Sequence, residues 1–103
     1  NNSSRISDPT NSASSGQTET FLGESYPNPA TDEVNIECNV PDGTHAVLKF
    51  FDMNGRLLTT KQLANGQQLV TLDVHFWHAG VYMYEMIVDD KIISYQKMVI
   101  TNK

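Results

Sequence analysis

Two imidazoles three residues apart, His75 and His78, with the Asp73 carboxylate nearby, are the side chains of this 103-residue chain best suited to hold a metal ion. Imidazole nitrogen and carboxylate oxygen are both zinc donors. The spacing belongs to a loop and no fourth ligand is evident, so ordinary loop residues are the better reading. Asp52-x-Asn54-Gly55 has the opening pattern of a calcium loop, which needs a bidentate Glu at its twelfth position. Leu63 stands there, and the pattern reads as a turn. The single cysteine, Cys38, excludes an internal disulfide and a cysteine-built zinc site but leaves the compartment open. A reactive thiol needs an accessible, electropositive setting, whereas Cys38 alternates with apolar residues and reads as buried. Ser14, Ser15 and Gly16 have no His–acid partners; being small and polar, they suit protease access and form a candidate processing region. No convergent set of titratable groups emerges, so neither an enzyme nor a cofactor is expected.

The elements that must position these residues are strands. Val34, Ile36, Cys38 and Val40 fall on one face, with Asn35, Glu37 and Asn39 on the other, the period of a half-buried strand. Pro41-Asp42-Gly43 supplies a turn. His45 to Asp52 is a second strand, apolar on both faces. Asn54-Gly55 then predicts a hairpin, either as a type I′ turn or as a type I turn followed by a left-handed Gly55. Arg56 to Gln62 returns, and Asn65-Gly66 makes the next turn. Gln67 to Val74 follows, with Val70, Leu72 and Val74 inward. Val81 to Val88, again apolar on both faces, reads as a central strand; Asp89-Asp90 turns into a last strand, Lys91 to Ile100. No helical stripe of useful length occurs. The fold class expected is all-β, an antiparallel Ig-like β-sandwich of about six or seven strands.

Composition bounds the rest. Net charge is −5 at pH 7 and the sequence pI is about 4.9. That balance argues against nucleic acid, whose phosphates need clustered Lys and Arg, and against an anionic membrane surface. Val81 to Tyr84, the longest apolar run, is far short of the ~20 residues of a helical membrane span. Twelve of the first twenty residues are Ser, Thr or Asn, too polar to offset the roughly 1–2 kcal/mol per residue that ordering costs. Residues 1–23 are therefore expected to be a flexible linker, with the folded domain at 24–103. The opening Asn-Asn-Ser-Ser, without a Met or a signal-peptide pattern, leads us to expect a piece of a longer protein.

Four blocks stand in order along the domain: Tyr26-Pro27-Asn28-Pro29-Ala30-Thr31-Asp32, then Asp52-Met53-Asn54-Gly55-Arg56, then Ala79-Gly80-Val81-Tyr82, and finally Lys97-Met98-Val99-Ile100. Together they resemble the type A C-terminal sorting domain of the type IX (Por) secretion system of Bacteroidetes, from about Glu24 to Ile100. Phe76-Trp77 departs from the family, which more often has a small polar or Leu-containing segment before Ala-Gly. The resemblance implies a recognition element attached to an N-terminal cargo protein. The cargo would be exported through the periplasm and cross the outer membrane through a dedicated translocon with its shuttle components. In most members a surface sortase then removes the domain and can join the cargo to anionic lipopolysaccharide; others retain it. The location implied is the outer membrane, the cell surface or the medium.

The resemblance and the residue types together single out Pro27, Asn28, Pro29, Gly80, Tyr82, Lys97, Met98, Val99 and Ile100 as recognition residues. Pro27 and Pro29 are expected to make a stiff extended lead-in at a sheet edge. Gly80 is expected to supply a backbone conformation or a close approach that a side chain forbids. Tyr82 and Tyr84 share a face, and Tyr82 reads as packed rather than read by a receptor. A terminal edge strand offers unpaired backbone groups, so strand addition by a receptor and an edge-strand dimer are both expected modes. Cleavage would fall in the linker, at residues 10–23. The alternative function is a cell-surface Ig-like adhesive or carbohydrate-binding module, for which Trp77 with Phe76 is the only aromatic platform on offer.

Overall fold

A computed structural model of the chain describes residues 20–101. Ser14, Ser15, Gly16 and most of the expected linker lie outside the described residues. Seven strands occur among those described: β1 (Phe21–Leu22), β2 (Glu33–Val40), β3 (Ala46–Phe51), β4 (Leu57–Leu63), β5 (Gly66–Asp73), β6 (Gly80–Val88) and β7 (Lys91–Ile100). They form two sheets, one in the order β1-β2-β5 and the other in the order β4-β3-β6-β7, and every strand pairing is antiparallel. This is the all-β sandwich that the strand pattern predicts.

The period-two patterns explain which faces meet. Along β2, Val34, Ile36, Cys38 and Val40 are all buried. Opposite them lie Ala46, Leu48 and Phe50 of β3, Tyr84 and Met86 of β6, and Met98 and Ile100 of β7, each at most 1% exposed. Leu72 and Val74 close the layer as expected, and Val70 is half-buried. Burying aliphatic and aromatic side chains of this size yields roughly 1.5–3 kcal/mol each, and that face-to-face layer holds the sheets together.

The turns follow their residue chemistry. Gly55 has φ 80° whereas Asn54 does not have positive φ, so the β3–β4 connection is a type I turn closed by a left-handed Gly rather than type I′. The Asp52 carboxylate organises it, accepting from the backbone N–H groups of Asn54 and Arg56 at 2.9 Å each. These bonds, chiefly the one from Arg56, hold the carboxyl below its usual range. Asp89 and Asp90 both adopt positive φ (50° and 70°), as a two-residue I′ hairpin between β6 and β7 requires. The chain changes sheets between β4 and β5. There Asn65 ties the crossing to the Pro41–Thr44 turn, its side chain donating to the Thr44 carbonyl at 2.9 Å and accepting from Gly43 N–H at 3.2 Å.

Candidate functional site

Residues 26–30 carry the chain from one sheet to the other. Tyr26 is bridged to Asn35 of β2, exchanging backbone hydrogen bonds of 2.9 and 2.8 Å. Four residues later Ala30 is bridged to Ile100 of β7, in parallel sense. Between them Pro27, Asn28 and Pro29 form consecutive bends, and the Tyr26–Pro27 and Asn28–Pro29 peptides are cis. The expectation of an extended lead-in is corrected: residues 27–29 bend, and the bend turns the chain from its bridge to β2 towards its bridge to β7. All three residues are exposed.

The step ends on the last strand. Ala30 N–H donates to the Val99 carbonyl at 2.9 Å, and Thr101 N–H donates to the Ala30 carbonyl at 2.8 Å. Asn28 completes the set, its side-chain Oδ1 accepting from Val99 N–H at 3.0 Å. Both backbone groups of Val99 are thus occupied, the N–H by Asn28, 71 residues away in sequence, and the carbonyl by Ala30. Gly80 pairs with Ile100 across the β6–β7 ladder. Three of the four sequence blocks therefore converge at one end of the β7 edge.

Within that cluster the expected recognition residues divide. Met98 is fully buried and Ile100 is 1% exposed, so both are core. Lys97 and Val99 face outward, on the same side as Tyr95. Tyr82 is buried; its hydroxyl donates to the His78 carbonyl at 2.6 Å and its ring lies 4.9 Å from that of Trp77. Burial, followed by the nearby Asp52 charge, raises its pKa. Tyr84 is fully enclosed, donating to the Gly23 carbonyl at 2.7 Å, and burial pushes its pKa up to about 12. Burial likewise pushes the Cys38 thiol up to about 11, the state of an inert core residue.

Gly80 has φ 158°, which a residue with a Cβ rarely adopts, but a Cβ there would meet nothing within 4 Å. The backbone half of the expectation for Gly80 holds and the close-approach half does not. Close approach occurs instead at Gly23, where a Cβ would stand 2.9 Å from the Glu37 carbonyl oxygen. Gly23 N–H donates to that same carbonyl at 2.8 Å, so the two backbones touch. Its neighbours Leu22 and Glu24 gave no sign of this.

The other chemistry-bearing residues stay apart from the edge. No group of three His, Cys, Asp or Glu able to hold a metal occurs among the described residues. His75 meets Asp73 through its backbone N–H, at 2.9 Å, while its ring lies 4.5 Å from Phe76. Trp77 is half-buried, edge-on to Phe50 at 6.4 Å, and lines an open cleft of about 510 Å³ together with Asp52, Arg56, Asp73, His78 and Tyr82. Phe76 is 86% exposed.

These features define a small antiparallel sandwich whose sheet-crossing segment and last strand are bonded into one edge unit. The chain belongs to the family of secretion system C-terminal sorting domains, which it matches over residues 24–101; these are the type IX sorting domains of Bacteroidetes. The family is one of sorting signals and not of enzymes. Among solved structures the fold is similar to part of dimeric latent PorU from Porphyromonas gingivalis, with a TM-score of 0.66 and 16% sequence identity. That likeness covers 82% of this chain and only 9% of the other. No curated protein matches the chain.

Proposed function

We propose that this domain is the C-terminal signal that directs an attached N-terminal cargo through the periplasm to the type IX outer-membrane translocon. A surface sortase then cuts within residues 10–23, the region of Ser14, Ser15 and Gly16, and joins the cargo to anionic lipopolysaccharide. The family match over nearly the whole folded domain carries the sorting role. The exposed parts of the convergent edge, Pro27 to Pro29 with Lys97 and Val99, are the surface that translocon and shuttle components read. Met98, Ile100, Tyr82 and Gly80 contribute by holding that edge in place.

The test is a reporter exported to the periplasm and fused ahead of residues 1–103, expressed in a type IX-competent Bacteroidetes strain. The fusion is expected at the cell surface or in the medium, with the domain removed. Periplasmic retention overturns the sorting role; export of an uncut fusion overturns the sortase step alone. Deleting Lys97 to Lys103 is a poor probe of recognition, because it removes two fully packed core residues with the exposed ones. A glycan-binding role has the Trp77-lined cleft in its favour. Loss of glycan binding on Trp77→Ala, with export intact, would support that reading.

A further inference from the structure

The hydrogen bonds at Val99 fix the direction of the backbone groups of β7 from Ile100 back to Ser94. In an antiparallel pair, alternate residues of an edge strand turn both N–H and C=O away from their neighbour. Val99 does so, giving both groups to Asn28 and Ala30. The β6–β7 register runs without interruption from Gly80↔Ile100 to Met86↔Ser94, so Lys97 and Tyr95 share the outward parity. Their outward N–H and C=O groups have no hydrogen-bond partner among the described residues. Among the described residues the edge is therefore closed at Val99 and open at Tyr95 and Lys97. Beside the open stretch the sheet's outer face is apolar, with Tyr95 64% and Ile92 62% exposed and Ile93 also exposed.

We infer that Tyr95–Lys97 is a strand-addition site for an extended segment of a protein partner, and that Asn28 sets where the added strand must stop. This rests on the sorting role proposed above and names how the signal is read. Main-chain pairing provides the affinity, and alternate side chains on the outer face provide the selection. The incoming strand carries apolar residues against Tyr95 and Ile93 and a carboxylate across from Lys97. Charge favours such a partner over a second copy. Apart from Lys97, the nearby outer-face charges are Lys49 and Glu85, which lies across from Tyr95. A copy paired edge to edge about Tyr95 would set Ile93, not an acid, across from Lys97. A single bound Asn side chain at position 28 is a specific stop, since no strand can pair with Val99 while its N–H is taken.

Proline separates the site from the fold. At an outward-facing position of an edge strand it removes an N–H that the domain itself does not use, and its ring obstructs the incoming strand. In the reporter fusion, Lys97→Pro is expected to lower the exported fraction by about tenfold or more through the lost interchain bond and the clash. Lys97→Gln, which keeps the N–H, is expected to lower it less. Thermal melting of the purified chain accompanies each variant; if Lys97→Pro does not fold, Tyr95→Pro is read in its place. Wild-type export by a folded proline variant overturns the strand-addition site and leaves the sorting role standing. Failure of the wild-type fusion overturns both. Sedimentation of the wild-type chain across the micromolar range is expected to show a monomer, and a dimer abolished by Lys97→Pro would show that the edge serves a second copy instead.

Discussion

The two outer faces of this sandwich are built from the same kind of strand and have opposite chemistry. On the three-stranded sheet, the outward positions of β2 and β5 are Glu33, Asn35, Glu37, Asn39, Gln67, Leu69, Thr71 and Asp73, to which β1 adds Phe21, a mainly polar, acidic surface with two apolar residues. On the four-stranded sheet they include Val47, Phe51, Val81, Met83, Ile87, Tyr95 and Val99, broken by Lys49, Glu85 and Lys97. Every lysine and arginine among the described residues lies on or beside the four-stranded sheet. A two-layer sandwich needs only its inner faces apolar, and water is best met by a polar outer face. The first sheet obeys that economy. The second retains apolar surface that the fold does not use, which is the mark of an interaction face.

The strongest way to break that contrast is to show that inner and outer positions of one strand are equivalent. Met86 and Ile87 are adjacent on β6, the first fully buried and the second facing outward. Met86→Ala is expected to destabilise the domain by about 2–5 kcal/mol, the loss of transfer energy plus a cavity. Urea unfolding measures it, and an effect below about 1 kcal/mol would mean that the layer is not packed as described. Gly23→Ala comes next. Its Cβ would press on the Glu37 carbonyl, and because that contact is backbone against backbone neither side yields cheaply. Overpacking of this kind costs about 1–3 kcal/mol.

How much of this was legible in the sequence follows from the range of each signal. The alternation in β2 is local and complete, so its buried face could be read residue by residue. β3 and β6 are both apolar on both faces, and for β6 that pattern predicts a central position in a sheet. They are central, yet their second face is open, because a strand's own sequence does not say whether a further layer covers it. The bond from Val99 to Asn28 spans the whole domain and left no local trace; only the ordered blocks suggested that those segments work together. Alternation along the last strand sets Met98 and Ile100 apart from Lys97 and Val99, but which set is core depends on the sheet the strand joins. Prolines 27 and 29 announced stiffness without announcing direction, and the crossing between sheets was missed.

Alkaline pH tests the inner layer from another side. Tyr84 and Cys38 both have folded pKa values raised by burial, to about 12 and about 11. An unfolded chain would lose those protons near their ordinary values, about 10 and 8.5. The folded state therefore holds more protons between these limits, and its stability falls as pH rises. The contribution of these two groups is expected to be level from neutral pH to about pH 8 and to decline steadily from there towards pH 12. Cys38→Ala should move the onset of that decline upward, by removing the lower of the two titrations; fluorescence-monitored unfolding against pH checks it. An unchanged onset would place the thiol in contact with water.

The smallest expected change in stability is the one that sharpens the comparison most. Val81 and Leu69 are both outward, partly exposed apolar residues, one on each outer face. Val81→Thr and Leu69→Thr should each alter stability by less than about 0.5 kcal/mol, as surface substitutions away from special features do. Their consequences for export should differ. Val81 pairs with Val99, beside the edge unit, and belongs to the apolar face; making it polar is expected to reduce export of the reporter fusion several-fold. Leu69 stands alone among polar and acidic neighbours, and its replacement should leave export unchanged. Equal export by both variants would mean that the apolar outer face is not read, and would confine recognition to the open backbone of β7 and the Pro27–Pro29 segment.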